Sequence, residues 1–109
     1  MANNIQLIVF PVSDVEKAKK FYDTYLGVEP YVDGHYYVGY KVGDLEIGLD
    51  PNGKAVVSYI DTDDIEASLK TLKDAGAEVE MEPKDVGGGL TVAQVKIEGN
   101  VMGLRQPAK

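Results

Sequence analysis

Two charged side chains stand in otherwise apolar, strand-like segments, where either could do chemistry. Glu46 opens the run Glu46-Ile47-Gly48-Leu49 and could accept a proton in apolar surroundings. Arg105 follows another apolar run and could hold a carboxylate or a phosphate through two parallel hydrogen bonds. The alternative is that these two side chains pair with each other or face water. Glu46 is therefore a weak catalytic candidate, and both residues are candidate ligand contacts.

Aromatic side chains are a second kind of candidate. The chain has seven tyrosines, and two of them, Tyr36 and Tyr40, belong to a cluster in the first half. Because tyrosine stacks on flat molecules and also hydrogen-bonds, we predict that these two contact a ligand, with strand core or dimer interface as the alternatives. Tyr22 and Tyr25 recur at helical spacing and are predicted to lie in the core. The single histidine, His35, follows an Asp-Gly turn and is predicted to lie at the surface.

Composition excludes several kinds of site. The absence of cysteine excludes disulfides, thiolate metal sites and a cysteine nucleophile, and one histidine excludes a site with two histidines from the same chain. A formal charge of −7 argues against nucleic acid and anionic membranes as partners. The triple glycine at 87–89 lacks the Gly-Lys-Ser/Thr ending of a phosphate loop. No segment resembles a targeting signal or a membrane span, so we predict a cytoplasmic location.

The elements that must position these residues occur twice. Each half reads as a strand, a helix and three further strands, and the predicted helices begin with the capping spacings Ser13 to Glu16 and Asp63 to Glu66. Glycine ends each helix, at Gly27 and Gly76. Chance is the alternative, but the shared order of elements favours a repeat with a period of about 50 residues. The predicted strands are about 5–10, 28–32, 36–42 and 45–49, then 56–60, 77–81 (before a break at Pro83), 90–97 and 101–105.

This repeated order carries a family resemblance. The sequence resembles the glyoxalase / bleomycin-resistance / extradiol-dioxygenase (vicinal oxygen chelate) superfamily in Val12-Ser13-Asp14, Phe21-Tyr22, Leu26-Gly27, Asp64-Ile65-Glu66-Ala67 and the closing run from Glu98 to Leu104. The resemblance implies an α+β fold in which two βαβββ modules form a curved, partly open mixed sheet, with helices on the outer face and a concave cleft. It implies one domain over residues 1–109, with module one at about 4–50 and module two at about 54–106. It also implies a homodimer, which is frequent in the family.

The resemblance further implies where a metal would be held. Metal-using members bind their ion through four His, Gln or Glu side chains, one near the start of each module and one in each module's last strand. Carried over residue by residue, these positions fall on Leu7, Gly48, Val56 and Gly103. None of these side chains can bind a divalent ion, because none has a nitrogen or oxygen atom to act as a ligand. We therefore predict the family's fold without a metal and without any other cofactor.

Alternation of side chains along the strands predicts what lines the cleft instead. The result is an apolar floor with few charges and two glycines, which either widen the cleft for a ligand or admit neighbouring side chains. The predicted ligand contacts are Leu7, Val9, Tyr36, Tyr40, Glu46, Gly48, Val56, Ser58, Gly103 and Arg105.

These features favour a metal-free protein that binds a small organic molecule in an apolar cleft, similar to the drug-sequestering members of the family. The first alternative is a lyase, isomerase or dioxygenase of the glyoxalase type, with a displaced or metal-free site built on Glu46, Asp50 or His35. The second alternative is a non-catalytic dimeric regulatory module whose cleft is filled by a partner chain. The predicted partners are thus a small organic molecule and a second copy of the chain, with no nucleic acid and no membrane.

Overall fold

The chain divides into two compact units of the same construction. The structure, a computed structural model, describes residues 4–108. One unit spans Gln6–Val57, and the other comprises, of the described residues, 4–5 and 58–108. Each contains one helix and four strands, within the described residues, in the order β-α-β-β-β. The α+β class and the two βαβββ modules that the sequence predicts are therefore confirmed.

Module one is built around a parallel pair of strands. Strand β1 (Ile5–Pro11) pairs in parallel with β4 (Leu45–Asp50). Strand β3 (Val38–Val42) pairs antiparallel with β4, and the short β2 (Val32–Asp33) pairs antiparallel with β3. The order of strands across this sheet is β2-β3-β4-β1. Helix α1 (Val15–Leu26) connects the first strand of the module to the rest.

Helix α1 begins one residue later than the capping pattern predicts. Asp14, rather than Ser13, is the N-cap, because its backbone is extended and its side chain accepts a hydrogen bond from the Lys17 amide at 3.1 Å. The helix ends at Gly27 as predicted, with φ at 69°, a left-handed conformation that glycine adopts without strain. The side chain of Asp14 therefore caps the start of α1, and the backbone amide of Gly27, which donates to the Asp23 carbonyl oxygen, caps its end.

The side of α1 that faces the sheet is narrower than the sequence pattern predicts. Tyr25 is 91% exposed and Phe21 is 67% exposed, so the predicted core position of Tyr25 is wrong. Residues spaced three and four apart along a helix form a row on one side of it, and Phe21 and Tyr25 lie beside the row that faces the sheet. The residues of α1 that pack against the buried cluster of Val38, Tyr40 and Leu49 are Val15, Ala18, Tyr22 and Leu26.

Module two repeats the parallel pair. Strand β5 (Val57–Asp61) pairs in parallel with β8 (Asn100–Gln106), which pairs antiparallel with β7 (Thr91–Ile97). Strand β6 (Glu78–Asp85) pairs antiparallel with β7, and the order across the sheet is β5-β8-β7-β6. Helix α2 (Ile65–Asp74) covers one face of this sheet. The core beneath it consists of Ile65, Leu69, Ala93, Val95 and Leu104.

Helix α2 shows the same one-residue displacement of its start as α1. Its N-cap is Asp64, whose side chain accepts a hydrogen bond from the Ala67 amide at 3.1 Å. The predicted strand break at Pro83 is wrong, because β6 continues through this residue with a shift of register between Met81 and Lys84. Such a shift accommodates a residue that has no amide hydrogen to donate. Among the described residues, no helix has the length and apolar character needed to cross a membrane.

Candidate functional site

In each module, one face of the sheet packs under the module's own helix and the other does not. We call the second the helix-free face. It is defined in module one by Leu7, Val9, Gly39, Lys41, Glu46 and Gly48, and in module two by Val57, Tyr59, Asp61, Gln94, Gly103 and Arg105. Residues paired across neighbouring strands point to the same face, so the strand register fixes both sets.

Most of the residues predicted for module one share its helix-free face. Leu7 pairs with Glu46, and Val9 pairs with Gly48, across the parallel strands β1 and β4. Tyr36 precedes β3 and is 78% exposed. The structure thus brings four of the predicted residues together on one face, and their contact with a ligand stays a prediction.

Tyr40 is the exception in module one, and its predicted place is wrong. It pairs with Ile47, one position beyond the Gly39–Gly48 pair, so alternation sends its ring beneath α1. The side chain is fully buried there. Its hydroxyl donates a hydrogen bond to Asp23 Oδ1 at 2.7 Å, which ties the sheet to the helix. Tyr40 is therefore a core residue that a ligand on the helix-free face does not reach.

The predicted lining of β5 is displaced by one residue. Gly103 pairs with Tyr59, whereas Ser58 pairs with Met102, which packs into the core beneath α2. Ser58 therefore lies on the helix side of the sheet, and its predicted position beside Gly103 and Arg105 is wrong. The residues that share a face with Gly103 and Arg105 are Tyr59 and Asp61.

The same displacement corrects the third of the four metal-ligand positions. Leu7 lies seven residues before the N-cap Asp14, and the residue seven before the N-cap Asp64 is Val57, not Val56. Leu7 and Val57 are both buried, at 6% and 8% exposure, whereas Val56 is 50% exposed and precedes the strand. The corrected position is still a valine, so the mismatch with a metal ligand is unchanged.

Tyrosine rings cover the two glycines at the last-strand ligand positions. A Cβ atom at Gly48 would overlap the hydroxyl and ring of Tyr37, and a Cβ atom at Gly103 would overlap the ring of Tyr59. At a third glycine, Gly39, an added Cβ would lie 3.1 Å from ring atoms of Tyr31. Of the two interpretations that the sequence leaves open, these contacts support the second, in which the glycines admit neighbouring side chains.

The polar groups on the module-one face are organised by Tyr31. Its hydroxyl donates a hydrogen bond to Glu46 Oε1. The ammonium nitrogen of Lys41 lies 5.0 Å from the centroid of the same ring, within the range of a cation–π contact. Glu46, the weak catalytic candidate, thus positions an aromatic ring that lies over Gly39.

The polar groups on the module-two face form two pairs. Arg105 donates to Asp61 through Nε at 2.7 Å and through Nη2 at 3.2 Å, with the two side chains 13% and 25% exposed. Gln94 Nε2 donates to the hydroxyl of Tyr59 at 3.0 Å. This two-pronged ion pair balances the charge of Arg105 within its own module.

Sequence reasoning missed Tyr59, Asp61 and Gln94 as residues of this face. The signal that could have found them is the position of Gly103, because its direct neighbours on both adjacent strands point to the same side of the sheet. That signal becomes readable only once the register of β5 and β7 against β8 is known.

The residues present do not fit the metal that the family resemblance implies. Two of the four ligand positions are apolar side chains, and at the other two a tyrosine ring fills the space that a ligand side chain would need. Within residues 4–108, no group of three His, Asp or Glu side chains is placed to hold an ion.

The fold, the paired modules and the sequence together define the class of protein. The chain belongs to the Glyoxalase/Bleomycin resistance protein/Dioxygenase superfamily, whose sequence pattern it matches over residues 4–99. No curated protein matches the sequence.

Solved structures support the same fold at low sequence identity. A hypothetical protein from Bacillus halodurans C-125 is similar with a TM-score of 0.83 and 16% identity, covering 100% of this chain and 97% of that one. Methylmalonyl-CoA epimerase from Streptomyces coelicolor, in complex with 2-nitronate-propionyl-CoA, gives a TM-score of 0.76 and 16% identity, with 100% of both chains covered. A superfamily member from Vibrio splendidus 12B01 gives a TM-score of 0.73 and 16% identity, covering 96% of this chain and 99% of that one. At these identities the likeness concerns the fold alone.

Proposed function

We propose that this chain binds a small, flat organic molecule on its tyrosine-bearing helix-free faces and does so without the family's metal. The observation that carries the proposal is the placement of Tyr37 over Gly48 and of Tyr59 over Gly103. Metal-using members of the family carry ligand side chains at those two glycine positions. Here aromatic rings take that space, so the contact surface becomes flat and apolar.

The chemistry of these rings indicates the class of ligand. Tyrosine offers an apolar ring face for stacking and a hydroxyl at its edge for hydrogen bonding. Hydrogen bonds fix the orientation of two such rings, through Gln94 on Tyr59 and through Glu46 on Tyr31. The Arg105 charge is balanced by Asp61, which favours a neutral molecule over a strong anion. A planar molecule with one polar group suits this combination, and the predicted homodimer and cytoplasmic location are part of the same proposal.

A titration with a planar probe and its saturated counterpart tests the proposal. We expect 2-naphthol to shift the backbone amide resonances of β3, β4, β5 and β8. Two-dimensional NMR of the isotope-labelled chain measures these shifts. Because the saturated analogue decahydro-2-naphthol cannot stack, we expect it to bind more weakly. Tyr37→Leu and Tyr59→Leu are each expected to weaken naphthol binding about 2- to 10-fold, the equivalent of about 0.5–1.5 kcal/mol for an aromatic pair.

Tyr25→Leu is the matched control, because Tyr25 is 91% exposed on α1 and lies on neither helix-free face. Its affinity for naphthol is expected to equal that of the unaltered chain. Equal binding of the planar and the saturated alcohol would contradict the proposal. So would resonance shifts confined to the two helices, or a Tyr25→Leu effect as large as that of Tyr37→Leu.

A further inference from the structure

Module two contains a cavity, partly open to solvent, on the side of its sheet that faces α2. Its volume is about 200 Å³. One wall is apolar and is formed by Ile60, Leu72, Met102 and Leu104. Thr62 and Ser68 lie on another wall, and Asp61 and Thr71, whose hydroxyl donates to the Ala67 carbonyl oxygen at 3.1 Å, complete the lining. The sheet residues that form its apolar wall belong to the side that faces α2, and Asp61, at the end of β5, is the residue that borders both this cavity and the helix-free face of the module.

The two hydroxyls form a pair that retains hydrogen-bonding capacity. Thr62 Oγ1 and Ser68 Oγ are 2.7 Å apart, and either can be the donor. Thr62 Oγ1 also accepts from the Asp64 amide at 3.2 Å and lies 3.3 Å from the Asp64 carbonyl oxygen. If Thr62 donates to Asp64 and Ser68 donates to Thr62, then Ser68 Oγ keeps two lone pairs to accept. If Thr62 donates to Ser68, the Ser68 hydrogen is available to donate.

A hydroxyl group is the ligand group that suits both arrangements. It can donate a hydrogen bond to Ser68 Oγ in the first arrangement and accept one from the Ser68 hydroxyl in the second. A carboxylate is disfavoured, since the residues that line the cavity include the Asp61 carboxylate and no cationic side chain. The apolar wall requires that the rest of the molecule be apolar. An engineered protein cavity of about 150 Å³ holds benzene, so a substituted six-membered ring is the matching size here.

We propose that this cavity binds a small apolar molecule that carries one hydroxyl, of the size of phenol. The hydroxyl bonds to Ser68, and the ring packs on Leu72, Met102 and Leu104. This site does not rest on the proposed function, because its lining contains none of the tyrosines and shares only Asp61 with the helix-free face.

A titration with phenol and with toluene, which has the same shape without the hydroxyl, tests the site. We expect both compounds to shift amide resonances of residues lining the cavity on β5, α2 and β8. Ser68→Ala is expected to weaken phenol binding about 2- to 10-fold, the range of one net hydrogen bond, and to leave toluene binding unchanged. Ser13→Ala is the control, since Ser13 is an exposed serine of module one, and it is expected to change neither affinity.

A second variant tests whether the space itself is the site. Ser68→Leu places an apolar side chain in the cavity at a helical position where leucine is favourable, and we expect it to abolish the binding of both compounds while the chain stays folded by circular dichroism. Binding that persists in Ser68→Leu would overturn the proposal. Equal weakening of phenol and toluene by Ser68→Ala would also overturn it, as would shifts by phenol only at β3 and β4, which belong to module one.

Discussion

Gly103→Ala is expected to lower the free energy of unfolding by about 2 kcal/mol, a typical cost of adding a methyl group to a filled space. The added Cβ atom would overlap the Tyr59 ring, including Cγ at 2.8 Å, which lies close to the backbone and cannot move far. The ring is also tied by the hydrogen bond from Gln94. Urea denaturation of the two proteins measures the difference.

A double-mutant cycle separates this overlap from other effects of the alanine. In a Tyr59→Ala background the overlapping ring is gone, so the cost of Gly103→Ala is expected to fall below about 0.5 kcal/mol. Gly34→Ala is the matched control, because an added Cβ atom there would meet only the Tyr37 carbonyl oxygen at an ordinary 3.5 Å. A Gly103→Ala cost that is unchanged in the Tyr59→Ala background would contradict the contact.

Tyr40→Phe is expected to cost about 1.5–3 kcal/mol, the range for a buried hydrogen bond to a charged group. Tyr40 is fully buried, and its hydroxyl donates to the Asp23 carboxylate at 2.7 Å. The phenylalanine variant keeps the ring that packs beneath α1 and loses only this bond. Tyr36→Phe, at a residue that is 78% exposed, is the control and is expected to change stability little.

Tyr40 also makes the free energy of unfolding depend on pH in alkaline solution. Burial, followed by the hydrogen bond to Asp23, raises the pKa of Tyr40 above the ordinary tyrosine value. The contribution of the Tyr40 hydroxyl to the free energy of unfolding is complete below the tyrosine pKa of the unfolded chain, which is about 10. It declines at higher pH, because the unfolded chain then releases a proton that the folded chain retains. In the unaltered chain this effect is expected to lower the free energy of unfolding by about 1.4 kcal/mol per pH unit in that range. The Tyr40→Phe variant is expected to lack this loss. Equal slopes for the two proteins above pH 10 would contradict this assignment.

The order of elements was predictable because the signals for it are local. Aspartates at the two helix starts, glycines at the helix ends and apolar runs of strand length each act within a few residues. The helix starts were predicted one residue early because Ser13 and Asp63 are also good capping residues. The side chains of Asp14 and Asp64 make the capping bonds in the structure.

The three misplaced residues of the predicted site, Tyr40, Val56 and Ser58, could be corrected from two different sequence patterns. In β3, Gly39 and Lys41 alternate with Val38, Tyr40 and Val42, so the burial of Tyr40 is readable from alternation alone. In β5, Val57-Ser58-Tyr59-Ile60-Asp61 has no polar and apolar alternation, but the internal repeat indicates its facing, because Val57 precedes Asp64 by the same seven residues by which Leu7 precedes Asp14. The contact between Tyr59 and Gly103 still depends on the long-range register of β5 with β8, a strand that begins 39 residues after β5 ends (61 to 100), and the local sequence does not contain that register.

The contacts that define the candidate site depend on this long-range register. Tyr59 reaches Gly103, and Tyr37 reaches Gly48, because the pairing of strands and the turn before β3 place each ring over a glycine. The sequence predicts which positions lack a metal ligand. It does not predict what fills them, because each glycine and its ring are brought together only by folding.

The metal content of the chain tests most directly whether tyrosine–glycine contacts have taken the place of the family's metal site. Untagged protein is grown in metal-replete medium, purified without chelator and measured by inductively coupled plasma mass spectrometry. We expect only substoichiometric zinc, nickel, iron or manganese, and no rise in Tm when any of these ions is added. A full equivalent of one ion per chain, with a Tm that rises with its concentration as binding to the folded state requires, would contradict the account.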